Sequence, residues 1–175
     1  NLSYLASSGA LPPDQLSTGT KSAPAENKTL SLSNRATLKI DRLGIEAPIV
    51  FGVGSNQNDI YKNLENGVVH YSDSPKPGLD GVSIILGHSS AYPWYKGNYG
   101  SVFALLGKLK PGDRFSVQYE GGPNFTFEVK QSVIFTPLTD NTRLAEIENK
   151  SGSSLLLISC WPVGTNYKRI AVQPE

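Results

Sequence analysis

Apolar residues in this chain come in short runs separated by glycine and proline, and that spacing limits the fold more than any other feature. With 17 Gly and 12 Pro in 175 residues, many short strands are favoured over a helical bundle. Leu38 and Ile40 alternate with Lys39 and Asp41, the period of a half-buried strand. Ile45 to Val53 follows the Leu43-Gly44 turn as the second arm of a hairpin. Gly67 to Tyr71, Val82 to Leu86, Arg114 to Glu120, Phe125 to Phe135, Leu155 to Cys160 and Tyr167 to Val172 read as six further strands. Asn58 to Leu64, Val102 to Leu109 and Thr142 to Asn149 have the spacing of short helices, the first and last beginning near an Asn or Asp cap. The pattern predicts a mainly β fold, a closed eight-stranded barrel with two or three short helices and no exposed edge.

Residues 1–36 are rich in Ser, Thr, Pro, Ala, Asn and Lys, with isolated leucines in no regular period. They are expected to form a flexible arm or linker. Residues 37–175 are expected to form one barrel domain, since 38% hydrophobic content in a chain of this length suits a single core. Lys and Arg number 16 against 15 Asp and Glu, a net charge of +1, so no nucleic-acid footprint and no polybasic membrane patch is expected. No stretch approaches the roughly 18 apolar residues of a spanning helix. The chain contains no Met, and a targeting segment is expected to lie outside it. The single Cys forms no internal disulfide and leaves the compartment open.

One Cys and two His in this spacing match no zinc pattern, and no Gly-rich phosphate loop stands at a strand-to-helix junction. Neither metal nor cofactor is therefore expected. Cys160 ends the most hydrophobic strand and precedes Trp161-Pro162, where the backbone must leave the sheet; its bland reading is a small buried hydrophobe. Reactivity would require a nearby cation or base. If the turn is Val163 to Asn166, Cys160 stands directly opposite Arg169, with Cβ atoms about 5 Å apart. A slip of one residue would substitute Lys168 or Ile170, although Ile170 and Val172 already occupy the other face. His70 and His88 each end an apolar strand. His88 follows the more buried one and leads into the aromatic loop Ser89 to Gly100, but strand position alone leaves both open as the base.

Together Leu86-Gly87-His88, Leu156 to Cys160 and an Arg nine residues on resemble the sortase family. Leu38-Lys39-Ile40 with Leu43 to Ile49 looks like the opening strands of sortases, and Gly67-Val68-Val69-His70-Tyr71 like their GVxH segment. The likeness covers Thr37 to Val172. Cys160-Trp161-Pro162-Val163-Gly164-Thr165-Asn166-Tyr167-Lys168-Arg169 is most similar to the CxPxGxNxxR of class C, pilin-assembling members. Two departures stand out: the first Thr of the family's TLxTC is lost while Ser159 keeps a hydroxyl at the second, and the Asp-Pro-aromatic plug of class C is absent.

The resemblance implies a bacterial surface enzyme, with an extracytoplasmic catalytic domain tethered to the membrane by a segment absent from this chain. It would cleave an LPxTG-like signal through a Cys thioacyl intermediate. Its partners would be surface or pilin proteins bearing that signal and an amine from peptidoglycan or a pilin Lys. It makes Cys160 the nucleophile, His88 the proton-transfer group and Arg169 the stabilising cation, and it gives His70 a non-catalytic place. Substrate contacts are implied for Ser89, Tyr92, Trp94, Ser159 and Trp161, in a groove walled by Ser89 to Tyr99 and Pro137 to Ser153. No counterpart of the calcium-binding acidic cluster of some class A members is apparent. Leu11-Pro12-Pro13-Asp14 and Leu16-Ser17-Thr18-Gly19 each resemble part of a sorting signal, which sets a pseudo-substrate arm against an ordinary linker. Two other readings compete: an L,D-transpeptidase, disfavoured because no His-Gly precedes Cys160, and a non-catalytic β-barrel adhesin or scaffold with a structural Cys.

Overall fold

The computed structural model describes residues 31–91, 95, 97–137 and 152–174. The two sorting-signal fragments, Tyr92, Trp94 and the helix expected over Thr142 to Asn149 lie outside the described residues.

The chain opens with β1 (Ala36–Ile40) and β2 (Ile45–Val50), an antiparallel pair in which Leu38 faces Ala47. Gly44, at φ 65°, takes the left-handed conformation that closes the turn, one that a side chain disfavours. After β2, Gly52 at φ 72° turns the backbone out of the sheet, so this strand is shorter than the apolar run predicted. The chain then enters α1 (Gln57–Asn63). Asn56 caps it, its Oδ1 accepting from the N–H of Asn58 at 2.8 Å and of Asp59 at 3.2 Å, which satisfies donors that the first turn leaves orphaned.

The crossover through α1 lets β3 (Val68–His70) run parallel to β2, an orientation no tight hairpin can give. Strand β4 (Gly81–Leu86) returns antiparallel to β3. The hairpin β5 (Arg114–Tyr119) and β6 (Asn124–Phe135) follows, then β7 (Ser153–Trp161), parallel to β4, and β8 (Lys168–Pro174). Going round the sheet the order is β1-β2-β3-β4-β7-β8-β6-β5, and β5 pairs with β1 to close it. The eight-stranded closed barrel expected from the sequence is the fold. Its helical content differs in detail: the run expected to be helical over 102–109 forms turns and one 3-10 turn, Leu106–Lys108. Phe103, Leu106 and Leu109 are buried at intervals of three, the period of a 3-10 rather than an α-helix.

Alternation along the strands divides the apolar residues into layers. Leu155 and Leu157 of β7 point into the barrel with Leu38, Val117, Ile170 and Val172. Leu156 and Ile158 point outward with Ala171 and Phe135. Buried on both faces, β7 and its neighbour β4 read as continuous apolar runs for this reason. A third cluster, Val53, Leu64 and Val69 with Ile60, holds α1 against the outside of the barrel. Ser159 therefore continues the inward row and Cys160 the outward one, at the end of β7 that α1 overhangs.

Candidate active site

The β7–β8 register is Cys160 opposite Arg169, with Trp161 opposite Lys168. Because Ile170 and Val172 face the core, Arg169 lies on the outer side with Cys160. β4 lies along the other edge of β7, Leu86 beside Ile158, and the chain continues from it into Gly87 and His88. Three strands thus deliver Cys160, Arg169 and His88 to one cavity of about 270 Å³. Leu86 and Ile158 contribute to its floor, and Ser55, Gln57, Ile60, Tyr61 and Leu64, from α1 and its flanks, form a wall.

Cys160 is half-buried and unpaired, accessible from the cavity rather than sealed in the core. Arg169 is held from behind, its Nη1 donating to the carbonyls of Asn166 and Lys168, each at 3.0 Å. Of the five guanidinium donors, those on Nε and Nη2 make no hydrogen bond among the described residues. They remain available to a ligand.

His88 is fixed by its backbone on both sides. The N–H of Phe103 donates to the His88 carbonyl at 2.8 Å, and the N–H of Gly87 donates to the carbonyl of Ile158 at 3.1 Å. Gly87 allows the Phe103 ring to come close, since a Cβ built there would lie 2.4 Å from that ring. Gly87→Ala is therefore expected to destabilise the protein by about 1–3 kcal/mol through overpacking and to lower turnover, as read from the urea midpoint and peptide cleavage.

His70 is elsewhere. It is buried against Phe51, ring centroids 5.2 Å apart, and its Nε2 is 2.9 Å from the Pro75 carbonyl and 3.3 Å from the Ser74 hydroxyl. Its polar partners are structural, and it does not line the cavity.

Burial holds both imidazoles below their ordinary pKa of 6.5, and at His70 the positive charge of Lys76 acts in the same direction. The unfolded chain, titrating at 6.5, then binds more protons than the folded one between each lowered pKa and 6.5, so stability rises with pH across that window. The urea midpoint should be level above about pH 7.5 and fall as the pH drops through 6.5. A midpoint that rose on acidification through that window would contradict the burial of both rings.

A family model described as Sortase domain matches residues 38–175. The chain belongs to the sortase family. Sortase D of Bacillus subtilis (strain 168) is 29% identical over 138 residues, which are 77% of this chain and 60% of that protein. This sortase chain thus spans about 60% of the length of that curated relative. Among solved structures, sortase C1 from Streptococcus agalactiae aligns with a TM-score of 0.64 at 26% identity, over 80% of this chain and 65% of that one. Sortase C-1 from Actinomyces oris gives 0.62 at 25%, over 80% and 72%. The fold also matches sortase A from Corynebacterium diphtheriae, with 0.64 at 24% over 83% and 61%. The structural neighbours are mostly class C members, whereas the curated relative is a sortase D.

In this sortase the described residues linked to substrate contact by resemblance, Ser89, Ser159 and Trp161, are dispersed. Ser159 lines the cavity, but its hydroxyl donates to the Gly87 carbonyl at 2.7 Å and only 3% of the residue is exposed. That bond ties β7 to the backbone just before His88. Ser89 is buried with no hydrogen-bond partner for its Oγ among the described residues. Trp161 packs on Gly107, where a Cβ would lie 2.9 Å from the indole. The wall supplied by α1 and Tyr61 was missed from sequence. Its only signal was the amphipathic pair Ile60 and Leu64, which suits a core-facing helix equally well.

Proposed function

We propose that the protein is a cysteine transpeptidase that cuts an LPxTG-like sorting signal and passes the acyl group to an amine. The observation that supports this best is the convergence of Cys160, His88 and Arg169 on one cavity from three strands. The half-buried, cavity-facing Cys160 counts against a scaffold in which this residue is only core filling.

The chemistry runs in two balanced halves. His88, neutral at rest because burial lowers its pKa, accepts the Cys160 proton as sulfur attacks the Thr–Gly carbonyl. Arg169 donates to the developing oxyanion through its Nε and Nη2 N–H groups, which make no hydrogen bond among the described residues. The tetrahedral centre collapses, the C–N bond breaks, and His88 returns the proton to the leaving amine, leaving a thioester on Cys160. An incoming amine then attacks that thioester and gives its proton to His88. The C–S bond breaks, and the thiolate recovers the proton. Donors would be surface or pilin proteins bearing the signal, and acceptors a peptidoglycan amine or a pilin Lys, at the extracytoplasmic face of a bacterial membrane. Among the described residues no helix is long and apolar enough to cross a membrane.

A peptide library varied around LPxTG, incubated with several amines and analysed by mass spectrometry, tests this reading. Cleavage between Thr and Gly with an amine-linked product is expected. Failure to cleave any member, with Cys160 unreactive to thiol reagents in the native protein, would favour the scaffold.

A further inference from the structure

A base that shuttles protons between sulfur and nitrogen must hold its ring still, and in most such sites a third group does this by hydrogen bonding to the far nitrogen. His88 has no such partner: neither ring nitrogen makes a hydrogen bond among the described residues, in contrast to His70 and its Pro75 carbonyl. Two aromatic rings stand against the imidazole instead. Tyr61 of α1 lies at 5.6 Å and 62°, and Tyr95 of the following loop at 5.4 Å and 82°, both edge-on geometries that aromatic pairs favour.

Tyr95 is fixed by its surroundings. Its hydroxyl donates to the Leu64 carbonyl, just beyond α1, at 2.8 Å. Two glycines make room for it: a Cβ on Gly97 would lie 2.4 Å from the Tyr95 oxygen, and one on Gly100 would lie 3.0 Å from its ring. The Gly97 Cβ would also meet the Glu65 carbonyl at 2.6 Å, so the loop seats directly on the chain that leaves α1. Leu64 itself lines the cavity.

We propose that Tyr95 is the positioning residue for His88, its ring setting the imidazole's orientation while its hydroxyl pins the end of α1 that walls the cavity. This rests on the transpeptidase reading for its kinetic consequence, though not for the geometry. A single side chain then couples the substrate-facing wall to the proton shuttle, which explains why the loop carries glycines at 97 and 100. Ring and hydroxyl have separable effects. Removing the ring frees and hydrates the imidazole, whereas removing only the oxygen loosens the wall. Among the described residues, Tyr61 from α1 and Tyr95 from the loop lie against the His88 ring, and Cys160 from β7 and Arg169 from β8 line the same cavity.

The test uses the chain's two histidines, whose Cε1 protons are followed by NMR against pH and assigned with a His88→Asn variant, alongside steady-state peptide cleavage. Tyr95→Leu should move the His88 titration up toward 6.5, leave His70 unmoved, and lower kcat by about 10- to 100-fold. Tyr95→Phe, which deletes one oxygen, should leave the His88 titration and kcat near wild type and raise KM a few-fold. Gly97→Ala displaces Tyr95 without altering its chemistry and should follow Tyr95→Leu in direction. It stands in for that variant should the latter lose its cooperative unfolding transition. Wild-type titration and kcat in Tyr95→Leu, or in Gly97→Ala as its substitute, would overturn the positioning role. An unchanged KM in Tyr95→Phe would overturn the tether. Since the titration needs no substrate, a protein that cleaves no peptide yet shows the His88 shift would refute the transpeptidase reading and leave the geometric one intact.

Discussion

Cys160→Ala is expected to abolish both cleavage of sorting-signal peptides and amine transfer while leaving the barrel folded. The side chain is half-buried at the rim end of β7, so truncation opens no sealed void and should shift the urea midpoint only slightly. The chemistry has no substitute, because the described residues contain no second thiol. Ser159 lies next to it in sequence, but it faces the core and its hydroxyl is committed to the Gly87 carbonyl. Cys160→Ser should be nearly as inactive, since a hydroxyl is far less readily ionised than a thiol and His88, kept neutral by burial, is a modest base.

Arg169→Ala is expected to lower kcat by about 10²–10³-fold, the range found when a single oxyanion donor is removed. Arg169→Lys should recover only part of that loss. The guanidinium uses Nη1 on the Asn166 and Lys168 carbonyls and presents its remaining donors from a plane those bonds fix; an ammonium has no such second edge. Stopped-flow or discontinuous cleavage assays at saturating peptide separate this effect from binding. Equal activity in wild type and Arg169→Ala would remove Arg169 from the oxyanion role.

Different parts of this site were legible in the sequence to different degrees. Placing Cys160 opposite Arg169 needed only a turn length and the two-residue period of a strand, both short-range properties. The closed barrel was legible from the spacing of apolar runs, and the register of β7 on β8 agrees with it. The choice between His70 and His88 was not legible from strand position. It depends on what packs against each ring, and those partners come from distant segments: Pro75 and Phe51 for His70, Tyr61 and Tyr95 for His88. The cavity wall was hidden for the same reason. α1 sits 100 residues before Cys160 in Ile60, and only the parallel β2–β3 crossover carries it over the end of β7. The helix expected over 102–109 illustrates the limit of counting apolar residues, since the strict interval of three between Phe103, Leu106 and Leu109 is the period of a 3-10 turn and not the mixed three-and-four spacing of an α-helix.

The most direct measurement is the mass of the protein itself, quenched with acid during turnover of an LPxTG-type peptide in the absence of an amine. A gain equal to the acyl fragment ending in Thr is predicted. It should map to the peptide that contains Cys160, disappear when an amine is added, and be missing from Cys160→Ala. Steady cleavage with Cys160 unmodified throughout, or the same adduct on Cys160→Ala, would contradict the account.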